Sequence, residues 1–197
     1  MTYIIDSIKK LEELINNREY VDNLIIDMNF DINHLLCNLT DLTCLKFGKD
    51  YNQSTNLSLL PNLQYLEFGW YYNQLTDLSI LSNLTCLKFR TCYNQLTDFS
   101  TLLNLKHLEF QSCYEQLTNL SSLSNLTCLQ FGSFYNILTD LSMLSNLEYL
   151  RFGRFYKQST DLSHCKKLKK LNGCDIIDLD LSTYRNGIFK KIEIIIE

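Results

Sequence analysis

Three side chains in this sequence have the chemistry to bind a soft metal or attack an electrophile: Cys86, His107 and Cys128, spaced 21 residues apart. If each interval supplies one strand and successive strands pair in parallel, their Cα atoms lie about 5 Å apart. Thiolate and imidazole are zinc ligands, and Glu109 or a water would complete the set. A cysteine beside an imidazole is also the start of a nucleophile. Two things count against both uses. A flat row of ligands does not close a cage, and no residue is visibly placed to orient the imidazole. The expectation is therefore a semi-polar surface column, with no catalytic residue, no metal and no cofactor. Cys92 and Cys113 stand in a second column and read as buried thiols rather than a disulfide.

Larger side chains make a better case for function. Tyr65, Trp70, Tyr149, Arg151 and Arg154 are the types that anchor interfaces, and all fall in or just after one recurring segment. They are expected to be accessible and to bind a partner. Tyr71, Phe134 and Phe155 either cluster with them along the rim or, at Tyr71 and Phe134, turn inward. Enzyme motifs are missing: there is no P-loop, no H-E-x-x-H, no G-x-S-x-G and no dinucleotide glycine fingerprint. The three histidines, His34, His107 and His164, are far apart in sequence.

What positions these residues is a repeat. At a period of 21 the chain aligns Phe47, Phe68, Phe89, Phe110, Phe131 and Phe152, with Leu45, Leu66, Leu87, Leu108, Leu129 and Leu150 two places earlier. Leu42 to Leu147 form a column three places earlier still, and Tyr51 to Tyr156 form another four places after the Phe. Leu60, Leu81, Leu102, Leu123, Leu144 and then Cys165 form the last apolar column. L-x-F has period 2, so its Leu and Phe face one way and the residue between them the other. Such a strand buries its apolar face only if the next unit stacks on it, which defines a solenoid. L-x-x-L-x-x-L suits turns or short 3₁₀ pieces on the outer arc, and L-T-D-L-S supplies side chains to satisfy that bend.

The pattern divides the chain into residues 1–20, an N-terminal helical cap, and 21–197, a solenoid of about nine turns. Its regular units run from about 42 to 162, with degenerate ends. The helix is read over residues 3–15, capped by Asp6 or Ser7, with Ile5, Ile8 and Leu11 on one side. Ile194 is assigned to the Phe column of the last turn, with Ile192 and Phe189 before it. The outward column Lys46, Glu67, Lys88, Glu109, Gln130, Arg151 nearly alternates in charge and reads as self-neutralising pairs between neighbouring strands.

Composition sets limits. Apolar residues are 46% of 197, enough for a sizeable core, and the net charge of −4 gives no basic excess for a phosphate backbone. The N-terminal segment reads as neither signal peptide nor membrane span. Eight cysteines that recur with the repeat, and sequons at Asn38, Asn83, Asn119 and Asn125 where sugars would crowd, fit a reduced cytoplasmic protein.

L-x-x-L-x-F followed by L-T-D-L-S-x-L-S-N-L resembles the leucine-rich repeat family over residues 21–197. The segment Phe68-Gly69 to Tyr72-Asn73-Gln74 is similar to the FNIP variety of social amoebae and giant viruses. The chain departs from that pattern in having Leu or Ser where FNIP relatives have Pro after N-Q. Asparagine also follows the Tyr, at Asn52, Asn73, Asn94 and Asn136, which places an asparagine ladder in a lengthened turn. The resemblance implies a parallel sheet on a concave face, turns or 3₁₀ segments on the convex side, and a non-catalytic intracellular module that binds a protein partner through its concave surface. The alternative it implies is the substrate-recognition adaptor of a ubiquitin ligase, although the forty residues before the first full repeat do not read as an F-box. Neither nucleic acid nor membrane is expected as a partner. The C-terminal segment Ile192–Ile196 would leave an apolar edge able to form a homodimer, flanked by Lys166, Lys167, Lys169, Lys170, Lys190 and Lys191, which protect such edges.

Overall fold

A computed structural model describes residues 2–17, 20–173 and 193–195. Ten short strands form one parallel sheet in strict sequence order. They are β1 (Thr2–Ile5), β2 (Asn23–Ile26), β3 (Cys44–Phe47), β4 (Tyr65–Glu67), β5 (Cys86–Phe89), β6 (His107–Phe110), β7 (Cys128–Gln130), β8 (Tyr149–Arg151), β9 (Lys170–Asn172) and β10 (Glu193–Ile195). Helix α1 (Ile8–Asn16) and a single turn α2 (Asn33–Leu36) follow the first two strands. A 3₁₀ turn at Leu57–Leu59 follows the third.

From β1 to β9 each strand pairs with the residue 21 places on, as in Leu45 with Leu66 and Leu66 with Leu87. The register also reaches one turn further toward the N-terminus than the sequence reading placed it. Thr2–Ile5 are a strand, with Tyr3 opposite Leu24 and Ile5 opposite Ile26. The helix begins only at Ile8, and its N-cap is Ser7, whose hydroxyl accepts from the Lys10 N–H at 3.4 Å. Tyr3-Ile4-Ile5 suits a pleated surface better than a helix. At the other end Glu193 pairs with Lys170, a spacing of 23, so the last turn is longer than the rest. Ile194 therefore stands opposite Leu171, in the Leu column rather than the expected Phe column. Phe189, Lys190, Lys191, Ile192 and Ile196 lie outside the described residues.

Period 3 explains the outer arc. Leu81 N–H donates to Leu78 O at 3.0 Å and Leu84 N–H to Leu81 O at 2.9 Å, and the next turns repeat this with Phe99-Leu102-Leu105 and Leu120-Leu123-Leu126. In such a run side chains three apart eclipse, so all three face inward, and all are buried. Each bend is closed by an Asp or Asn: Ser79 N–H donates to Asp77 Oδ1 at 2.9 Å, and Ser121 N–H to Asn119 Oδ1 at 3.0 Å.

Aromatic rings fill the space between strand and arc. Within a turn Phe89 stacks on Tyr93 with centroids 3.9 Å apart, and between turns Phe68, Phe89 and Phe110 follow at 5.2 and 5.4 Å. The double column runs from Phe47 and Tyr51 to Phe152 and Tyr156.

Two asparagine ladders bind successive turns. In the inner one Asn73 Oδ1 accepts from the Asn94 N–H at 2.9 Å and from Gln95 Nε2 at 3.1 Å, and Asn29, Asn52, Asn94 and Asn136 make equivalent rungs. In the outer one Asn62, Asn83, Asn104, Asn125 and Asn146 each donate Nδ2 to a carbonyl 22 residues back, at 2.8–3.2 Å. The Asn83 and Asn125 amides of the sequons are thus engaged in the fold.

Candidate functional site

The residues the sequence singled out fall into two groups. Tyr65 on β4 and Trp70 just after it form one; Tyr149 and Arg151 on β8 and Arg154 after it form the other. Four strand steps separate β4 from β8, about 19 Å at the usual strand spacing. Trp70 is 52% exposed, with Lys49 Nζ 5.8 Å from its ring centroid and 5.7 Å from that of Tyr71. Tyr65 is half-buried and committed within the fold: its hydroxyl donates to Glu67 Oε2 at 2.5 Å, and Lys46 lies 5.0 Å over its ring. Arg151 and Arg154 are exposed and Tyr149 is half-buried.

A groove of about 500 Å³ opens on the concave side at the second group, lined in part by Glu109, Gln111, Gln130, Arg151 and Arg154. Its floor is backbone. The residue after the strand Phe is Arg90 or Gln111 in the middle turns, but Gly132 and Gly153 here, and both glycines line the groove. Neither place tolerates a side chain, because a Cβ on Gly153 would collide with the Gly132 carbonyl and one on Gly132 with the Gln111 carbonyl.

Beside the groove the structure decides between two alternatives. Tyr71, Phe134 and Phe155 point outward, 45–49% exposed. The inward place is already held by the Tyr that follows each of them. Phe134 and Phe155 stack at 5.4 Å, and Arg154 lies 5.8 Å over the Phe155 ring. Cys92 and Cys113 in the same column are half-exposed rather than buried. A further feature escaped the sequence reading altogether. Leu75, Leu96, Leu117 and Leu138, one per turn, are 57–72% exposed. The signal was present as the column that departs from proline after N-Q.

The charged column pairs differently from simple alternation. Lys88 Nζ meets Glu109 Oε2 at 3.3 Å, as expected from adjacent strands. Glu67 instead takes Arg90, whose Nε donates to Oε1 at 2.8 Å. Burial pushes the Glu67 carboxyl up, but hydrogen bonds from Tyr65 and Arg90 outweigh it and hold it below its ordinary value. Glu109 also orients the imidazole of His107, with Nε2 to Oε2 at 3.4 Å. His107 draws the Glu109 carboxyl down to about 2, against burial and with help from Lys88. Cys86, His107 and Cys128 do occupy partnered positions on β5, β6 and β7. Among the described residues, no group of three or more His, Cys, Asp or Glu side chains converges as a metal site.

Comparisons with known proteins agree on the fold. Neither a protein-family model nor a curated protein matches the sequence. Among solved structures, the circular leucine-rich-repeat protein CroV588 matches at 27% identity with a TM-score of 0.63, over 76% of this chain and 23% of its own. The internalin InlF of Listeria monocytogenes matches at 19% identity with a TM-score of 0.68, over 98% of this chain and 58% of its own. The functional domain of InlJ from the same bacterium, which includes a cysteine ladder, matches at 24% and 0.58, over 78% and 33%. The chain thus spans between about a quarter and three-fifths of the lengths of these proteins. The protein is a leucine-rich-repeat-like parallel β-solenoid, a fold that is generally a protein-binding module and typically non-catalytic. Among the described residues no helix is long and apolar enough to cross a membrane.

Proposed function

We propose that this solenoid is a non-catalytic protein-recognition module that binds through its concave strands and the rim beside them. Trp70, Tyr149, Arg151 and Arg154 serve as anchors, and Tyr65 braces the surface between strands. The observation that carries this reading is the pairing of an open groove, walled by Arg151 and Arg154, with the exposed Phe134–Phe155 stack. Exposed aromatics beside arginines are the composition of interface hot spots. The interior is already full of its own rings, so these serve no packing purpose there.

The exposed leucine stripe favours a second reading, in which the partner docks on the outer side, since contiguous exposed apolar surface marks interaction sites. Affinity capture from cytosol with quantitative mass spectrometry separates the two. One variant carries Arg151→Ala, Arg154→Ala and Phe155→Ala; the other carries Leu75→Ser, Leu96→Ser, Leu117→Ser and Leu138→Ser. A partner lost only with the first supports the concave reading. A partner lost only with the second overturns it. Ubiquitin-ligase subunits among the captured proteins would give the module an adaptor role.

A further inference from the structure

One outward column carries three thiols in equivalent places, Cys44, Cys86 and Cys128, so their surroundings decide their chemistry. Burial pushes the thiols of Cys44 and Cys86 up, Cys86 to about 11, which leaves them protonated and sluggish at neutral pH. Cys128 shares His107 with Cys86, which pairs with it from the other side, but differs in what its sulfur engages. Its partner across the β6–β7 pairing is His107. The Cys128 sulfur is the foremost cause, ahead of Glu109, that raises the His107 imidazole to about 9. On its own strand Gln130 Nε2 donates to Cys128 Sγ at 3.6 Å. Glu109 holds His107 through Nε2 at 3.4 Å and is itself held by Lys88 at 3.3 Å. Cys128 is half-exposed, so reagents reach it.

A sulfur that accepts an amide N–H, beside an imidazole braced by a carboxylate, is placed to attack an electrophile. We propose that Cys128 is a nucleophilic thiol and a covalent modification site on the concave face. His107 as imidazolium stabilises the charge on the sulfur, Glu109 positions His107, Gln130 donates to the sulfur, and soft electrophiles are the reagents it takes. In the reaction the thiol proton passes to the buffer, because His107 already carries its own at neutral pH. The sulfur lone pair then forms the S–C bond, and the leaving group departs with the electrons of the bond it loses. With iodoacetamide the products are carbamidomethylated Cys128, iodide and a proton taken up by the buffer, and His107 is unchanged. Glu109 does not compete for that proton. The inference is independent of the protein-binding reading.

The groups that face this sulfur are Cys86 and Lys88 from β5, His107 and Glu109 from β6, and Tyr149 and Arg151, the partners of Cys128 and Gln130 on β8. The test is the labelling rate of each cysteine by iodoacetamide, read by mass spectrometry between mildly acidic and mildly alkaline pH. Cys128 should react at least about tenfold faster than Cys44 and Cys86 at neutral pH, with a shallow pH dependence while theirs rises about tenfold per unit. His107→Gln, shown folded by circular dichroism, should bring Cys128 to the rate and slope of Cys44, and Gln130→Leu should slow it part of the way. Equal rates and slopes for Cys128 and Cys44 in the unaltered protein would overturn the proposal. So would a folded His107→Gln protein that labels unchanged. If that variant does not fold, the comparison within the unaltered protein and the Gln130→Leu rate decide the matter.

Discussion

Each buried tyrosine in the repeat presents a hydroxyl to an apolar interior, and each has one answer. Tyr51, Tyr72 and Tyr93 meet Thr55, Thr76 and Thr97 at 2.5–2.7 Å, and those threonines meet the carbonyls of Gln53, Gln74 and Gln95 at 3.1–3.2 Å. A threonine has one hydroxyl proton. With that proton given to the carbonyl, the tyrosine must be the donor to threonine, so the chain runs Tyr to Thr to backbone. Burial pushes the Tyr51 and Tyr72 hydroxyls up to about 12 and keeps them donors. Thr97→Val should therefore cost about 1–3 kcal/mol, because it strands the Tyr93 hydroxyl, while Tyr93→Phe with Thr97→Val should cost less than the sum of the two. Urea unfolding of the four proteins measures both.

The His107–Glu109 pair sets a pH range. Glu109 is depressed to about 2, so its contribution is present above the ordinary carboxylate range and is lost as pH falls toward 2. His107 is raised from 6.5 to about 9, so its contribution is complete below 6.5 and is lost as pH rises through about 9. Stability measured by urea unfolding should decline across that alkaline interval, and His107→Gln should flatten the decline. The sequence showed Cys86, His107 and Cys128 in a row. It did not show Glu109 as the orienting group, because that role depends on both side chains leaning together along one strand, which periodicity does not specify.

Among the elements, the inner asparagine ladder contains an exception that accounts for two irregular residues at once. Asn94 accepts from the Glu115 N–H and from Gln116. Glu115 stands where the next acceptor should be, and one turn later Ile137 replaces the glutamine that would have donated to it. The two departures lie in different repeats but are the two halves of one missing rung. Ile137 instead packs against the core. Glu115→Asn should restore an acceptor for the Asn136 N–H and stabilise by about 0.5–1.5 kcal/mol. Adding Ile137→Gln should not increase that gain, because it removes apolar contact. Gly153→Ala should be far more damaging than Arg90→Ala at the equivalent place, since only the glycine turn brings a neighbouring carbonyl into the space of a Cβ. Thermal melting separates these variants. The strands, the outer arc and the aromatic columns were legible because each repeats six times. Strand β1 follows the same period, yet the helix-like spacing of Ile5, Ile8 and Leu11 masked it. The outward turn of Tyr71 and Phe134 follows from competition with the adjacent Tyr for one inward place, which a column of residue types does not reveal.

At the scale of the molecule each described strand is hydrogen-bonded only to the strands before and after it. Stability is then close to a sum of unit terms and interfaces between neighbours. Leu108→Ala, in the middle, should cost about 2–5 kcal/mol and weaken the coupling between the two halves. The same change at Leu24 should mostly fray one end, a difference that amide hydrogen exchange reads directly. The basic cluster near the C-terminal turns is partly answered within the fold, with Lys169 on Glu148 at 2.7 Å and Lys167 on Asn146 at 2.7 Å.

Trp70 is the sole tryptophan of the chain, and it sits outside the aromatic stack, beside Lys49. The stacked tyrosines extend five turns beyond β3, as far as Tyr156. The molecule therefore carries two optical reporters at different addresses. Indole emission answers for the neighbourhood of β4 alone, whereas near-ultraviolet tyrosine dichroism averages over the length of the stack. In an array that loosens from one end, the two signals will part company, and the gap between their transition curves will show which end loosens first.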